Sequence, residues 1–333
     1  MITTLKKLLP SRPSVSGREG TVRDIITELM RPLVDEVRVD AMGNLICKKC
    51  GTAQSPRRMM LTAHMDEIGF IVNFIEENGD LRVAPIGGIS YTAAAFSHVM
   101  FENGVRGVLV CEADVPAKQA PKAEQCLVDI GASSRKQAER RVRVGDTCAL
   151  CATLTSLGTH RVTGRPLDDR IGCACLVEIA RALTAPADDI YYVFSVQEEV
   201  GCRGAYPASF GVAPDEALIF DVTGTGDVRG AKPMAVKLGD GVAVKVKDAS
   251  VICHREVVDG LLAAAKQNGI KTQCEILTYG GTDTSAVQMT GAGCRAGALS
   301  IPTRYIHTGV EMLDLRDAEA AVSLAVAYLG GIK

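Results

Sequence analysis

The tripeptide His64-Met65-Asp66 ends the apolar run Met59-Met60-Leu61-Thr62-Ala63, and four later stretches also finish in metal-type ligands: Asp168-Asp169-Arg170, Glu198-Glu199, Asp221 and His307. Two imidazoles and several carboxylates so far apart in the chain can meet only in a folded site. Their mixed nitrogen and oxygen chemistry suits a pair of divalent cations. In an extended strand residues two apart share a face, so Asp66 projects with His64 and can hold its imidazole from behind. Asp168 follows Thr163-Gly164-Arg165-Pro166, read as a turn, and precedes a helix that an acid there could cap. Its two oxygens could equally bridge cations roughly 3.5–4 Å apart. Glu198 and Glu199 end the apolar run 190–196, and because neighbouring side chains diverge, one can ligate a cation while the other serves as general base. Asp221 ends Ala217-Leu218-Ile219-Phe220, where burial of an uncompensated carboxylate would be costly. His307 alone is ambiguous, but the set as a whole reads as a two-metal hydrolase.

Regular elements must hold these residues. Val22, Ile25, Ile26, Leu29 and Leu33 predict an amphipathic helix over 21–33, which Pro32 helps to end. Alternation predicts paired strands at 36–39 and 44–47 around Ala41-Met42-Gly43, then an apolar strand at 59–63. From 70 to 160, runs at 70–75, 81–84, 98–101, 105–110 and 142–149 are punctuated by glycine, which predicts a small β-barrel or sandwich with one helix near 134–140. Beyond 165 the expectation is helix 171–183, strands 190–196 and 217–220, helix 257–267, strands 273–277 and 297–301, and a closing helix 318–329. The fold class is therefore α/β, a mixed sheet flanked by helices, with a catalytic domain from 1–70 and 161–333 and an inserted small β-barrel at 71–160. Ligands of open α/β sheets bind beyond strand carboxyl ends, which is where His64, Glu198, Glu199 and Asp221 fall.

Composition narrows the function. With 333 residues and 47% hydrophobic content, the chain can bury a substantial core. A formal charge of -2 and a pI near 6.2 supply no basic excess for a phosphate backbone, so nucleic acid is excluded as a partner. No segment approaches membrane-spanning length and residues 1–20 lack a leader's apolar core, so no membrane partner is expected and the expected location is cytoplasmic. Twelve cysteines are diluted in a long chain and are expected to be mostly free, buried thiols. Cys47-Lys48-Lys49-Cys50 and Cys148-Ala149-Leu150-Cys151 could form a split zinc ribbon in a binding protein, but about a hundred intervening residues exceed ribbon spacing.

In this order, His64-Met65-Asp66-Glu67-Ile68-Gly69, Asp168-Asp169-Arg170, Gln197-Glu198-Glu199-Val200-Gly201, Asp221-Val222-Thr223, Gly280-Gly281-Thr282-Asp283 and Ile301-Pro302-Thr303-Arg304-Tyr305-Ile306-His307 resemble the motifs of the M42 metallo-aminopeptidases. These are the glutamyl and deblocking aminopeptidases and their relatives that form tetrahedral particles. The resemblance covers essentially the whole chain, including Leu127-Val128-Asp129-Ile130-Gly131-Ala132. It implies that His64 and Asp221 hold one cation, Glu199 and His307 the other, and Asp168 bridges them. Glu198 becomes the general base, Asp66 orients His64, and Thr282 and Asp283 line the substrate pocket. The resemblance further implies a zinc-peptidase-like domain interrupted by a PDZ-like β domain that makes dimer contacts. With it come self-association from dimer to dodecamer, short peptide substrates and a non-proline cis peptide after Asp168. Two divalent cations per subunit are expected, zinc or cobalt, with manganese also compatible.

Two stretches depart from the family's pattern. Cys111-Glu112-Ala113-Asp114-Val115-Pro116 stands where a proline-rich stretch with a histidine is usual, and Leu238-Gly239-Asp240-Gly241-Val242 has valine in place of proline. Neither touches a cation position, so they bear on loop shape, subunit packing and specificity. The implied reaction is release of an N-terminal residue, with Glu198 taking a proton from water and passing it to the leaving amine. The rival reading is an endoglucanase-like glycoside hydrolase that pairs Glu198 or Glu199 with an aspartate. Absence of tryptophan and 4% aromatic content leave few platforms for sugar rings, and that scheme gives the two histidines no role.

Overall fold

The computed structural model describes residues 1–9, 12–112, 120–231 and 233–330. Four apolar runs form the parallel centre of an eleven-stranded sheet, in the order Asp189–Ser195, Arg58–His64, Glu216–Thr223 and Arg295–Arg304. Their side chains alternate between two cores. Met59, Leu61, Ala63, Leu218 and Phe220 face one side, while Met60, Ala217 and Ile219 face the other. This two-residue period with both faces covered is what near-continuous hydrophobic runs specify. Helices Arg170–Ala182, Arg255–Asn268 and Leu315–Tyr328 cover the first face, and Ala205–Val212 and Asp283–Gln288 cover the second.

Antiparallel strands extend the sheet on both sides. Leu45–Lys49 and Glu36–Val39 continue it beyond Asp189–Ser195. Glu311–Asp314, Arg161–Gly164 and Thr155–Leu157 continue it beyond Arg295–Arg304, where Val242–Lys247 also pairs and carries Thr272–Ile276. Helix Gly20–Met30 buries Val22, Ile26 and Met30, a stripe at four-residue spacing. It stops short of the expected 33 at Pro32: Arg31 keeps helical geometry and donates its N–H to the Thr27 carbonyl at 2.9 Å, whereas Pro32 has no N–H with which to continue the ladder.

Between the two halves of the sheet the chain forms a closed antiparallel barrel of six strands: Gly69–Ile75, Leu81–Ile86, Cys126–Asp129, Arg106–Cys111, His98–Phe101 and Thr147–Leu150. Closure leaves no unpaired sheet edge. Phe70, Val72, Leu81, Val99, Phe101 and Leu109 fill a core of its own.

Several expectations need correction. The strand expected at 142–149 is only Thr147–Leu150, because Arg143 N–H donates to Asp146 Oδ2 at 2.8 Å in a turn with Gly145 at φ +95. Thr163 and Gly164 end the strand Arg161–Gly164 instead of lying in a turn, and a cis Arg165-Pro166 bond follows the strand. The Asp168-Asp169 peptide is cis, as the resemblance implied. Helix Ala205–Val212 was not expected, since Pro207 and Gly211 discourage that reading; Pro207 is tolerated because it sits in the first turn. All twelve cysteines are free, but only six of them are buried: Cys47, Cys126, Cys148, Cys173, Cys175 and Cys253. Residues 113–116 of the first departing stretch lie outside the described residues. Among the described residues no helix is long and apolar enough to cross a membrane.

Candidate metal centre

Strand parity aims the first two donors. His64 follows Met60, and Asp221 follows Ala217 and Ile219, so both project from the same face of adjacent strands at their carboxyl ends. His64 Nε2 lies 3.1 Å from Asp168 Oδ1 and 3.8 Å from Asp221 Oδ1. The other oxygen of Asp168 turns away: Oδ2 is 3.3 Å from His307 Nε2, which stands 3.1 Å from Glu199 Oε2. Two overlapping groups of possible ligands result, His64/Asp168/Asp221 and Asp168/Glu199/His307, and Asp168 belongs to both. Neither group, among the described residues, includes a cysteine of the 47/50 or 148/151 pairs.

The rings are oriented from behind. His64 Nδ1 lies 3.1 Å from the Asp66 carbonyl and 3.4 Å from Asp66 Oδ1. His307 Nδ1 lies 2.9 Å from the Gly88 carbonyl, next to the barrel strand Leu81–Ile86. Asp66 has a further task that its sequence position does not announce. Its carboxylate accepts from the backbone N–H of Glu198 at 3.0 Å and of Glu199 at 3.2 Å, and from Ser16 Oγ at 2.6 Å. One buried aspartate thus fixes both the imidazole and the loop that carries the two glutamates.

Among the described residues, four of the six non-glycine residues with positive φ lie in or beside this site: Gln197, Cys202, Tyr305 and His307. Such strain persists where surrounding contacts over-determine the backbone, and it clusters at functional sites. His64, Asp168, Glu198, Glu199, Asp221 and His307 all line one cavity of about 680 Å³. Thr282 lines it too, whereas Asp283 is buried behind, with Oδ2 accepting from Ser195 Oγ at 2.5 Å.

The electrostatics are those of too many acids in one place. Burial lifts Glu198 well above the usual carboxylate range, with Asp221, Asp283 and Glu199 adding to it. Burial does the same to Asp221, where Asp168 adds to the effect. Asp283 is pushed up to about 6, chiefly by burial against the hydrogen bond from Ser195. Burial disfavours the His307 imidazolium, yet contact with Asp168 and Glu199 outweighs it and raises that pKa to about 11. The fixed cations on the same cavity wall are already committed, Lys245 to Glu275 at 2.5 Å and Arg304 to Asp227 at 2.6 Å. A donor set of two imidazoles and three converging carboxylates, with no free side-chain cation on the cavity wall among the described residues, fits divalent metal.

Sequence reading missed the residues that shape the Asp168 turn. Glu311, fully buried, accepts from the N–H of Leu167 at 2.6 Å and of Asp168 at 3.1 Å, and pairs with Arg165 at 3.0 Å. Asp169 accepts from Gly172 N–H at 3.0 Å to cap the following helix, and from His64 N–H at 3.3 Å. A buried acid in the short strand Glu311–Asp314 gives no motif to search for. Glu311→Gln keeps the shape but removes the charge facing Arg165, and is expected to lower stability by about 1–3 kcal/mol, read as a lower urea midpoint at unchanged m. A midpoint equal to that of the parent would show that Arg165 does not depend on this carboxylate.

Comparison with known proteins gives a consistent result. The family model described as M42 glutamyl aminopeptidase matches residues 43–324. A protein of Acetivibrio thermocellus, provisionally named an aminopeptidase, is 42% identical over 94% of this chain and 93% of its own length. The lysyl aminopeptidase of Pyrococcus furiosus is 36% identical over 99% of this chain and 96% of its own. Among solved structures, an aminopeptidase of Desulfurococcus kamchatkensis superposes with a TM-score of 0.94 at 36% identity, covering 98% of this chain and 94% of that one. The TET1 peptidase of Pyrococcus horikoshii, which can assemble into a tetrahedron or a large octahedral shell, has a TM-score of 0.87 at 33% identity, with 98% of each chain covered.

Proposed function

Because this chain belongs to the M42 glutamyl aminopeptidase family and is a peptidase, we propose that it releases single residues from the N-termini of short peptides, with two divalent cations and Glu198 as general base. The observation that carries this reading is the sharing of Asp168 between two ligand groups, with Glu198 on the wall of the same cavity. In this reading His64 and Asp221 would hold one cation and Glu199 and His307 the other, with Asp168 a ligand common to both. Zinc, cobalt and manganese are all compatible with such donors. When bound, the cations supply Lewis-acid polarisation of the scissile carbonyl and lower the pKa of water.

The chain's own residues do the rest. Glu198 accepts a proton from the attacking water and returns it to the leaving amine. Asp66 keeps that carboxylate in place by holding the N–H groups of Glu198 and Glu199, and Gly88 keeps the His307 ring turned towards Glu199. Thr282 stands on the wall that an incoming peptide meets.

The test is a panel of aminoacyl nitroanilides, assayed after chelation and again after adding back zinc, cobalt or manganese. Hydrolysis is expected to vanish on chelation and return with at least one cation, with no reducing sugar released from a β-glucan. Full activity in excess chelator, or sugar release without nitroaniline, would overturn the reading.

The same reading extends to assembly. The barrel strands, from Gly69–Ile75 to Thr147–Leu150, interrupt a catalytic domain formed by 1–70 and 161–333, and this insertion is the surface through which copies meet, in dimers and up to a dodecamer. The assembly of the Pyrococcus horikoshii TET1 neighbour supports it. Sedimentation of the full chain as a monomer at micromolar concentration would exclude it.

A further inference from the structure

A second cluster of donor atoms stands beside the first, and two of its three members have no part in the proposed reaction. Glu198, Cys202 and Asp283 each offer one ligand atom, and these atoms lie within 4.8 Å of one another. They converge from two elements. The tight turn after Ser195 carries Glu198 and Cys202, with Cys202 N–H donating to the Glu198 carbonyl at 2.8 Å. Asp283 opens the helix Asp283–Gln288 on the same side of the sheet.

Cys202 Sγ stands 3.4 Å from Glu198 Oε1. That separation is close to the sulfur-to-oxygen edge of a tetrahedral site with bonds of roughly 2.3 and 2.0 Å. An S–H···O contact would account for it equally well, so the distance alone decides nothing. Asp283 decides it. The residue is 1% exposed, its Oδ2 is taken by Ser195, and its Oδ1 is buried with no hydrogen-bond partner. Cys202 Sγ lies within 4.8 Å of an Asp283 oxygen, yet Oδ1 stays without a hydrogen-bond partner. A carboxylate oxygen buried without a partner costs free energy that a bound cation would recover.

The donor set also differs in kind from the two groups that share Asp168. It contains a sulfur and no imidazole, and thiolate ligands select zinc-like and cadmium-like ions over manganese or magnesium. We propose that Glu198, Cys202 and Asp283 form a third site, for a thiophilic divalent cation, whose occupancy captures Glu198 and inhibits the enzyme. On binding, the S–H bond of Cys202 breaks, a sulfur–metal bond forms and the proton passes to solvent; no electrons are transferred. The inhibitory consequence rests on Glu198 being the general base, whereas the site itself does not. Zinc would thus activate at low concentration and inhibit in excess, while manganese would not inhibit through this site.

The experiment uses the full chain with its activating cations already bound. Cadmium is titrated in, and the thiolate-to-cadmium ultraviolet band and bound cadmium per subunit are followed for the parent, Cys202→Ala and Asp283→Asn. The parent is expected to take up one more cadmium than Cys202→Ala, with a matching loss of band in the variant. Asp283→Asn is expected to bind that ion about 10–100-fold more weakly. The zinc concentration giving half-inhibition should rise by a similar factor in Cys202→Ala. Equal stoichiometry and equal band in parent and Cys202→Ala would overturn the site. A lost band with unchanged zinc inhibition would overturn the inhibitory role. Were the chain to show no peptidase turnover at all, the cadmium difference would still report the site, so the two readings fail separately.

Discussion

Glu198→Gln is expected to keep both cations of the groups that share Asp168 while kcat on an aminoacyl nitroanilide falls about 10²–10⁴-fold, the usual contribution of a positioned general base. The separation of the two effects follows from geometry. Glu198 belongs to neither of the groups that share Asp168, so its amide replacement leaves all five proposed ligands intact. Its backbone N–H is held by Asp66 at 3.0 Å whatever the side chain, so the glutamine stays where the glutamate was. What is lost is the capacity to accept a proton and give it back. KM should change little, because uniform binding is untouched. Metal analysis and steady-state kinetics on the same preparation check this, and a variant within tenfold of the parent rate would remove Glu198 from its role.

Asp168→Ala should act on both cations together. Its oxygens diverge, Oδ1 towards His64 at 3.1 Å and Oδ2 towards His307 at 3.3 Å, so no neighbouring side chain can replace both contacts. Loss even of an outer partner weakens metal binding about 10–100-fold, and loss of a shared ligand should exceed that at each position. Bound metal is expected to fall to near zero per subunit and turnover with it. Glu199→Ala, in contrast, is expected to lose only the ion held with His307. Retention of both ions in Asp168→Ala would show that the carboxylate is not shared. Because a bound ion stabilises the folded state by mass action, the same variant should also melt at a lower temperature than the parent in saturating metal.

The elements that present His64 and Asp221 could be read from the sequence because each ends an apolar run, and burial on both faces of a sheet writes itself into consecutive residues. The barrel was legible for a related reason, since its glycine-punctuated short runs fit no helix. Two elements without such a pattern were not legible. Thr155–Leu157 is exposed throughout, so it carries no alternation, and Ala205–Val212 packs small residues around a proline. Among site residues, donors at strand ends were legible, as was Asp66 behind His64, but the other supports were not. Glu311, Asp169 and Ser16 act through hydrogen bonds whose partners are set by tertiary closeness, as when Glu311 reaches across to the N–H of Leu167 and Asp168. The second role of Asp66, holding Glu198 and Glu199 from more than a hundred positions away, is of the same kind.

On the roles proposed here, the donors are dispersed so widely that the order of synthesis acts as a safeguard. His64 leaves the ribosome early, but the second cation lacks an imidazole until translation has passed His307, and the strand Arg295–Arg304 that leads to it must first be laid beside Glu216–Thr223. On those roles a nascent polypeptide would stay inert until His307 is in place, and a hydrolase that could digest half-made neighbours would be kept latent by its own topology.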